Sequence, residues 1–402
     1  MKYPKLDDMF LKTQHFFLDY TNFTDGSEGY GLTSDHSKLP ERASIAATGF
    51  MFCALILAVE SHKLTKDSAK EIVFKTLKTL KRLDHYKGFY PHFLNRSTGD
   101  RWGLCEYSTI DTMLMMMGLI AIDAYFNDVN IKKDIDFLID RIDWSSFITI
   151  YQGKKVFAMA YNPDKEGDYV QGQPGYIYHW HMYAEQLMMY LLYDGDDAKE
   201  LYDNLERPIG QFNHYTYVHS PANTLFIYHF PLAFIDTKNY EDANGFSIYE
   251  NAKIATQAHQ ALSQSLSPIY KTFHTYAFGF NASDTPKGYR VFHAIPNHTN
   301  TVKTDGTVSA LSIVGAYPFM PKIIQPSLEY LSKIPGFNGT YGFMDAFNQE
   351  NDLWVSDKII AIDKGLEMLS IDAVLFQTIH KLVTNHARIQ QGMKRLSWKK
   401  RG

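Results

Sequence analysis

Residues Gly88–Phe126 read GFYPHFLNRSTGDRWGLCEYSTIDTMLMMMGLIAIDAYF. The first half is aromatic with polar interruptions and carries a turn signal at Ser97-Thr98-Gly99-Asp100. From Tyr107 onward only Asp111 and Asp123 bear charge. Ile110, Met113, Leu114, Met117, Ile120 and Ala121 follow helical spacing, yet the opposite face is apolar too. A helix without a polar face is enclosed by other structure on every side. Glu106 and Asp111 therefore stand where a buried helix emerges into a loop, where an ionised carboxylate must be solvated, paired or hydrogen-bonded. A structural role, a charge favoured by the helix dipole, would account for either one alone. Similar acids beside other apolar segments point instead to a shared site.

Working outward, Ala43–Val59 and Ile362–Leu382 are further apolar helices of this kind. Leu6–Tyr20, Thr65–Lys81, Ile131–Ile142 and Pro321–Ile334 are amphipathic, with Thr65 placed as an N-cap. Long loops precede the apolar helices and short ones the amphipathic helices. That alternation describes inner helices ringed by outer ones rather than an up-down bundle. Tyr178–Tyr193, carrying Trp180, His181 and Glu185, also reads as helix, as does Gly245–Leu262, while Thr224–Ile235 is aromatic and apolar. Phe147–Gly175 departs from the pattern, with β-prone residues at Val156–Tyr161 and a Gly-rich run at Gly167–Gly175. Tyr276–Thr307 and Asn338–Asp357 read as long loops, and Lys394–Gly402 as a mobile basic tail. No low-complexity linker interrupts the chain, so 1–392 is expected to form a single domain and 393–402 its tail.

The 402 residues carry a net charge of only −4, which argues against a nucleic-acid partner. Two cysteines, Cys53 and Cys105, exclude a disulfide framework and a cysteine-rich metal site. MKYPKLDDMFLKTQ lacks the apolar core of a secretory signal, so a cytoplasmic protein is expected. No membrane span is expected either, because Ala43–Val59 contains Ser44, Thr48 and Gly49.

Carboxylates recur at the mouths of the apolar helices: Asp35, Glu106, Asp111, Glu185, Asp284, Asp305, Asp345 and Asp363. Trp102, Trp180, Tyr289, Phe347 and Trp354 lie near them in sequence. A helical ring gathers its long loops at one end, so these groups could line one cavity. Paired acids and aromatic platforms are what glycoside hydrolysis uses. Histidine offers a competing chemistry, but His179-Trp180-His181 on a helix would point in two directions and make a poor metal clamp. Neither a metal nor a cofactor is expected. There is no Walker A motif, dinucleotide fingerprint or G-x-S-x-G elbow.

The blocks GLTSDHS (Gly31–Ser37), ASIAATGF (Ala43–Phe50), EYSTIDTMLMMMG (Glu106–Gly118) and YENAKIATQAHQ (Tyr249–Gln260) resemble the glucoamylase-like family. So do DGTVSALS (Asp305–Ser312), YGFMDAFN (Tyr341–Asn348) and AIDKGLEMLSID (Ala361–Asp372). That family includes bacterial endo-β-1,2-glucanases and a domain of cyclic β-1,2-glucan synthases. The resemblance implies an all-α (α/α)6 barrel, a toroid with long loops at one end. It also implies a glycoside hydrolase whose partner is an oligosaccharide or polysaccharide, with β-1,2-glucan favoured.

HWHMYAEQ places Glu185 where the family has its general acid, with Ala184 replacing a usual serine. Ile362-Asp363-Lys364-Gly365-Leu366 keeps the family's basic aspartate while replacing the Gln and Pro of an I-D-Q-G-P-like block. GFNASDTPKGY (Gly279–Tyr289) retains Asp284 and Tyr289 of a family loop but loses glycines. Glu185 is expected to be a protonated acid among Trp180, Tyr183, Met188 and Met189. Asp363, beside Lys364, is expected to be the ionised base, with Asp111 and Glu106 in reserve. Inversion is the expected outcome, with carboxyl groups roughly 6.5–9.5 Å apart. Two other readings remain open: a sugar isomerase or epimerase using His92 or His181, and a carbohydrate-binding protein without catalysis.

Overall fold

The computed structural model describes residues 4–164, 170, 172–296, 302–350 and 352–401. Among the described residues the first helices are α1 (Pro4–Asp19), α2 (Ile45–Glu60), α3 (Lys66–Arg82), α4 (Thr109–Phe126) and α5 (Val129–Asp140). There follow α6 (Leu187–Leu192), α7 (Ala198–Asp203), α8 (Phe226–Phe234) and α9 (Ile248–Ser265). The chain then builds α10 (Ala310–Val314), α11 (Pro321–Leu331), α12 (Ala361–Leu375), α13 (Thr378–Asn385) and α14 (Ala387–Arg395).

The sequence split between apolar and amphipathic helices is reproduced in the packing. α2 and α4 are buried over nearly their whole lengths, as is α12. α2 packs against both α4 and α12, while α1, α3 and α5 lie outside them. The α2–α4 contact is close because both helices carry glycine there. A Cβ on Gly118 would sit 2.3 Å from the Gly49 carbonyl oxygen, and one on Gly49 would sit 2.5 Å from that of Leu114. By length and composition α4 could cross a membrane, but 83% of it is buried inside the fold.

The buried helices start at one end of the molecule, each from an extended residue: Ser44, Ser108, Ser309 and Ile360. Ser108 and Ser309 cap their helices, accepting the N–H groups of Asp111 and Ser312. At the far end α13 packs under α4, α8 and α12, with the Asp236 N–H on Thr384 Oγ1 (2.8 Å) and His386 Nε2 2.9 Å from Asp123.

Several expectations need correction. The fold is rich in helix but not all-α. Strands β1 (Arg42–Ser44), β2 (Phe93–Asn95), β3 (Tyr107–Ser108), β4 (Ile148–Tyr151), β5 (Lys154–Tyr161) and β6 (Tyr176–Trp180) lie among its loops. β5 is paired with β3, β4 and β6. The segment read as a helix over Tyr178–Tyr193 begins as β6, because Trp180 and His179 register against Phe157 and Ala158. Glu185 therefore sits in a turn ahead of a six-residue helix. Part of the Gly-rich run at Gly167–Gly175 falls outside the described residues.

The apolar run Ile362–Leu382 is broken at Gln377, whose φ of 61° is left-handed. Asp372 then accepts the N–H groups of Thr378 and Ile379 and caps α13. The long segments 276–307 and 338–357 contain two-residue strand pairs, such as Ala282–Ser283 with Arg290–Val291. The C-terminal tail is docked rather than free. Trp398 is buried, and Lys399–Lys400 pairs with Tyr240–Glu241.

Candidate active site

The junction of β3 with α4 sets the first group of acids. Ser108 Oγ accepts the Asp111 N–H at 3.2 Å and donates to Asp111 Oδ2 at 2.6 Å, which fixes a buried carboxylate in the first helical turn. His92 bridges outward, with Nδ1 2.8 Å from Glu106 Oε1 and Nε2 3.7 Å from Asp111 Oδ1. Burial alone would lower the His92 imidazole's pKa, but Asp111 and Glu106 outweigh it and lift it to about 9. Asp111 is itself pushed up by burial, against the pull of His92 and Ser108. Asp35, on the neighbouring loop, is held by Arg42 Nη2 at 2.7 Å.

A second group of acids stands at the start of α12. Asp345 Oδ2 accepts the Asp284 N–H at 2.7 Å, while Asp284 takes Lys358 Nζ at 2.7 Å and Ser356 Oγ at 2.8 Å. Asp345 and Asp363 are joined by a side-chain hydrogen bond. Asp345 Oδ1 and Asp363 Oδ2 are buried without a donor among the described residues, a need that one proton shared between the two carboxyls would meet. Burial, then the charge of Asp345, drives the Asp363 pKa well above the carboxylate range. The backbone N–H on Asp345 favours that residue as the ionised member.

The expectation of an independently ionised Asp363 is therefore corrected. Its charge is shared with a neighbour, and the adjacent lysine points elsewhere. Lys364 Nζ bonds the Phe343 carbonyl (2.8 Å) and Glu367 Oε2 (2.6 Å).

Glu185 lines a pocket of about 300 Å³ with Trp180, Met182, Thr224, Phe226 and Tyr289. The side chain is part-open to that hollow, yet burial raises its pKa to about 7, with Asp111 adding to the rise. Tyr289 connects this pocket to both acid groups. The residue as a whole is 55% exposed. Burial first, then the charges of Asp363, Asp345, Asp35 and Asp111, push its pKa well above the ordinary value. At the rim Tyr151 packs its ring 4.7 Å from His179 and 4.5 Å from His181.

Two larger hollows, of about 710 and 770 Å³, open at the opposite ends of the same helices, around Glu60 and Phe376. There Asp123 pairs with His386, Arg388 with Asp136 and Asp140, and Glu60 Oε1 accepts the Tyr125 hydroxyl at 2.6 Å.

Of the expected acids, Glu185 lines the pocket itself, while Asp363, Asp345, Asp35 and Asp111 act on Tyr289 at its wall, Glu106 is paired with His92, and Asp284 stands behind Asp345. Trp180 lines the pocket but is mostly buried, its Nε1 donating to Thr109 Oγ1 at 3.0 Å. Phe347 is fully buried against Phe337 and offers no platform. Trp354 lies on a short strand paired with Asn348, outside the pocket lining, and Trp102 lies outside it as well. Asp305 caps its own turn through Thr307.

Sequence reasoning did not find the bridging place of His92 or the guanidinium of Arg42. The His92 N–H is held by the Glu106 carbonyl at 2.9 Å and the Arg42 carbonyl accepts the Asp35 N–H at 2.8 Å, backbone pairings that neither segment shows by itself. Among the described residues no group of three or more His, Cys, Asp or Glu is arranged to hold a metal ion.

The chain belongs to the family described as "Putative glucoamylase", which matches residues 177–387. A Parabacteroides distasonis protein, an exo beta-1,2-glucooligosaccharide sophorohydrolase (non-reducing end), is 22% identical to it over 447 residues. The match takes in 98% of this chain and 58% of that protein, so the chain spans less than two thirds of its relative's length. The endo-beta-1,2-glucanase of Chitinophaga pinensis, solved with sophorotriose and glucose, has a TM-score of 0.81 at 21% identity over 98% of both chains. The beta-1,2-glucanase of P. distasonis has a TM-score of 0.82 at 18% identity, over 98% of this chain and 59% of that one. These likenesses establish a common fold.

Proposed function

We propose that the protein is a glycoside hydrolase that cleaves β-1,2-linked glucan or its oligosaccharides, on helices closed into an (α/α)6 barrel. The observation that carries the reading is Tyr289. It lines the Glu185 pocket, and its hydroxyl lies in the field of Asp363, Asp345, Asp35 and Asp111. A carboxyl that is half protonated near neutral pH thus opens onto the same cleft as a buried acidic pair. The names of the relatives supply the linkage.

In the proposed reaction Glu185 gives its proton to the glycosidic oxygen as the bond to the anomeric carbon breaks. A water molecule adds to that carbon and loses its proton to the Asp345–Asp363 pair, which holds one negative charge and one proton beforehand. Attack from the face opposite the leaving group inverts the anomeric centre. Glu185 then recovers its proton from solvent. Asp111, kept near its imidazolium partner, shapes the field at Glu185 and holds substrate hydroxyls together with Glu106 and Asp35.

The test is incubation with β-1,2-, β-1,3-, β-1,4- and β-1,6-glucans, following products by ¹H NMR from the first minutes. Cleavage of the β-1,2-glucan with initial release of the α-anomer is expected. Binding without new reducing ends would replace hydrolysis by a carbohydrate-binding role, and turnover of free glucose would favour an isomerase.

A further inference from the structure

The buried pair Lys364–Glu367 has no part in that reaction. Both side chains are almost wholly enclosed, at 2% and 1% exposure, with Nζ 2.6 Å from Oε2. Two charges taken out of water cost several kcal/mol each, and an apolar pair of the same volume is often as stable or more so. Its placement suggests what the pair does instead.

Lys364 follows Asp363 in the first turn of α12, and its Nζ also donates to the Phe343 carbonyl at 2.8 Å. Phe343 belongs to the short strand Gly342–Phe343 and lies two residues before Asp345. The lysine is thus a clamp between the helix that carries Asp363 and the segment that carries Asp345.

We propose that Lys364, held by Glu367, is a positioning residue that fixes Asp345 against Asp363 so that the two carboxyls share one proton. The proposal builds on the hydrolase reading above, because it assigns the pair a part in that reaction.

The charged and titratable groups around the two carboxyls come from every element packed on them. α12 gives Lys364 and Glu367, the residue after the Ala282–Ser283 strand gives Asp284 with Lys358 beside it, and the pocket wall gives Tyr289, on which Asp35 and Asp111 also act. Of these side chains, Lys364 reaches from α12 to the Phe343 carbonyl, while the Asp345 N–H is held separately by the Lys358 carbonyl at 3.1 Å.

The test is the double variant Lys364→Met/Glu367→Leu, with Lys364→Met/Glu367→Gln as a second form should the first not fold. Each is measured with wild type in two ways: the ¹³Cγ titrations of Asp345 and Asp363, and kcat and KM on β-1,2-glucan. In wild type the two carboxyls are expected to titrate as one linked system. In the variants that linkage is expected to be lost, with kcat down about tenfold or more and KM within about twofold.

A folded variant with linked titration overturns the proposal whatever its rate, as does one that loses linkage but keeps wild-type kcat. Should wild type cleave no glucan, the hydrolase reading fails, and the titrations alone still decide whether Lys364 sets the shared proton.

Discussion

The His92 imidazole lies between two carboxylates, 2.8 Å from Glu106 and 3.7 Å from Asp111. Its pKa rises from about 6.5 when free to about 9 in the fold. A raised folded-state pKa contributes stability that is fully present below the free value and disappears as pH rises through the folded one. The difference in Tm between wild type and His92→Gln should therefore be largest near pH 6 and close by about pH 10. A difference that grows with pH would mean His92 is neutral in the fold.

Glu185 follows the same sign in a lower pH window. Its pKa is raised to about 7, so the folded protein binds a proton that the unfolded chain has already released. Stability then falls as pH climbs from about 4.5 to about 7 and is flat beyond. Thermal melts should show Glu185→Gln gaining on wild type across that window and holding its lead above it. A lead that shrinks toward pH 8 would place an ionised, paired Glu185 in the native state.

The glycine contact between α2 and α4 gives a test of the fold. Gly118→Ala pushes a methyl against the Gly49 carbonyl, and Gly49→Ala does the same against Leu114. Overpacking of this kind costs about 1–3 kcal/mol. Urea denaturation should show a loss of that size for each. Unchanged stability would mean that the helices can move apart freely.

The apolar helices were legible because burial on every face leaves a sequence mark that needs no partner to interpret. α2 and α4 fall within two residues of the expected bounds, as does the start of α12. Glu185 was picked out by its motif, but its local structure was misread. Tyr176-Ile177-Tyr178-His179-Trp180 serves as a strand only because β5 is there to pair with it. The break at Gln377 was hidden for a similar reason, since Asp372 ends one helix and caps the next through backbone groups far from it in composition.

In the site, single residues were visible and pairs were not. Asp345 and Asp363 are eighteen positions apart, and nothing in either segment says that they share a proton. Lys364 read as the neighbour of a base, whereas the helix turns it toward Phe343 and Glu367.

The acid role of Glu185 is the claim on which the rest depends, and kcat of Glu185→Gln on β-1,2-glucan measures it most directly. The variant keeps volume and hydrogen bonding but has no proton to give. It should bind the glucan with a KM close to wild type and lose about 10²–10⁴ in kcat. On an aryl glycoside, whose leaving group needs little protonation, the loss should be much smaller. Full activity on the glucan, or equal losses on both substrates, would contradict the assignment.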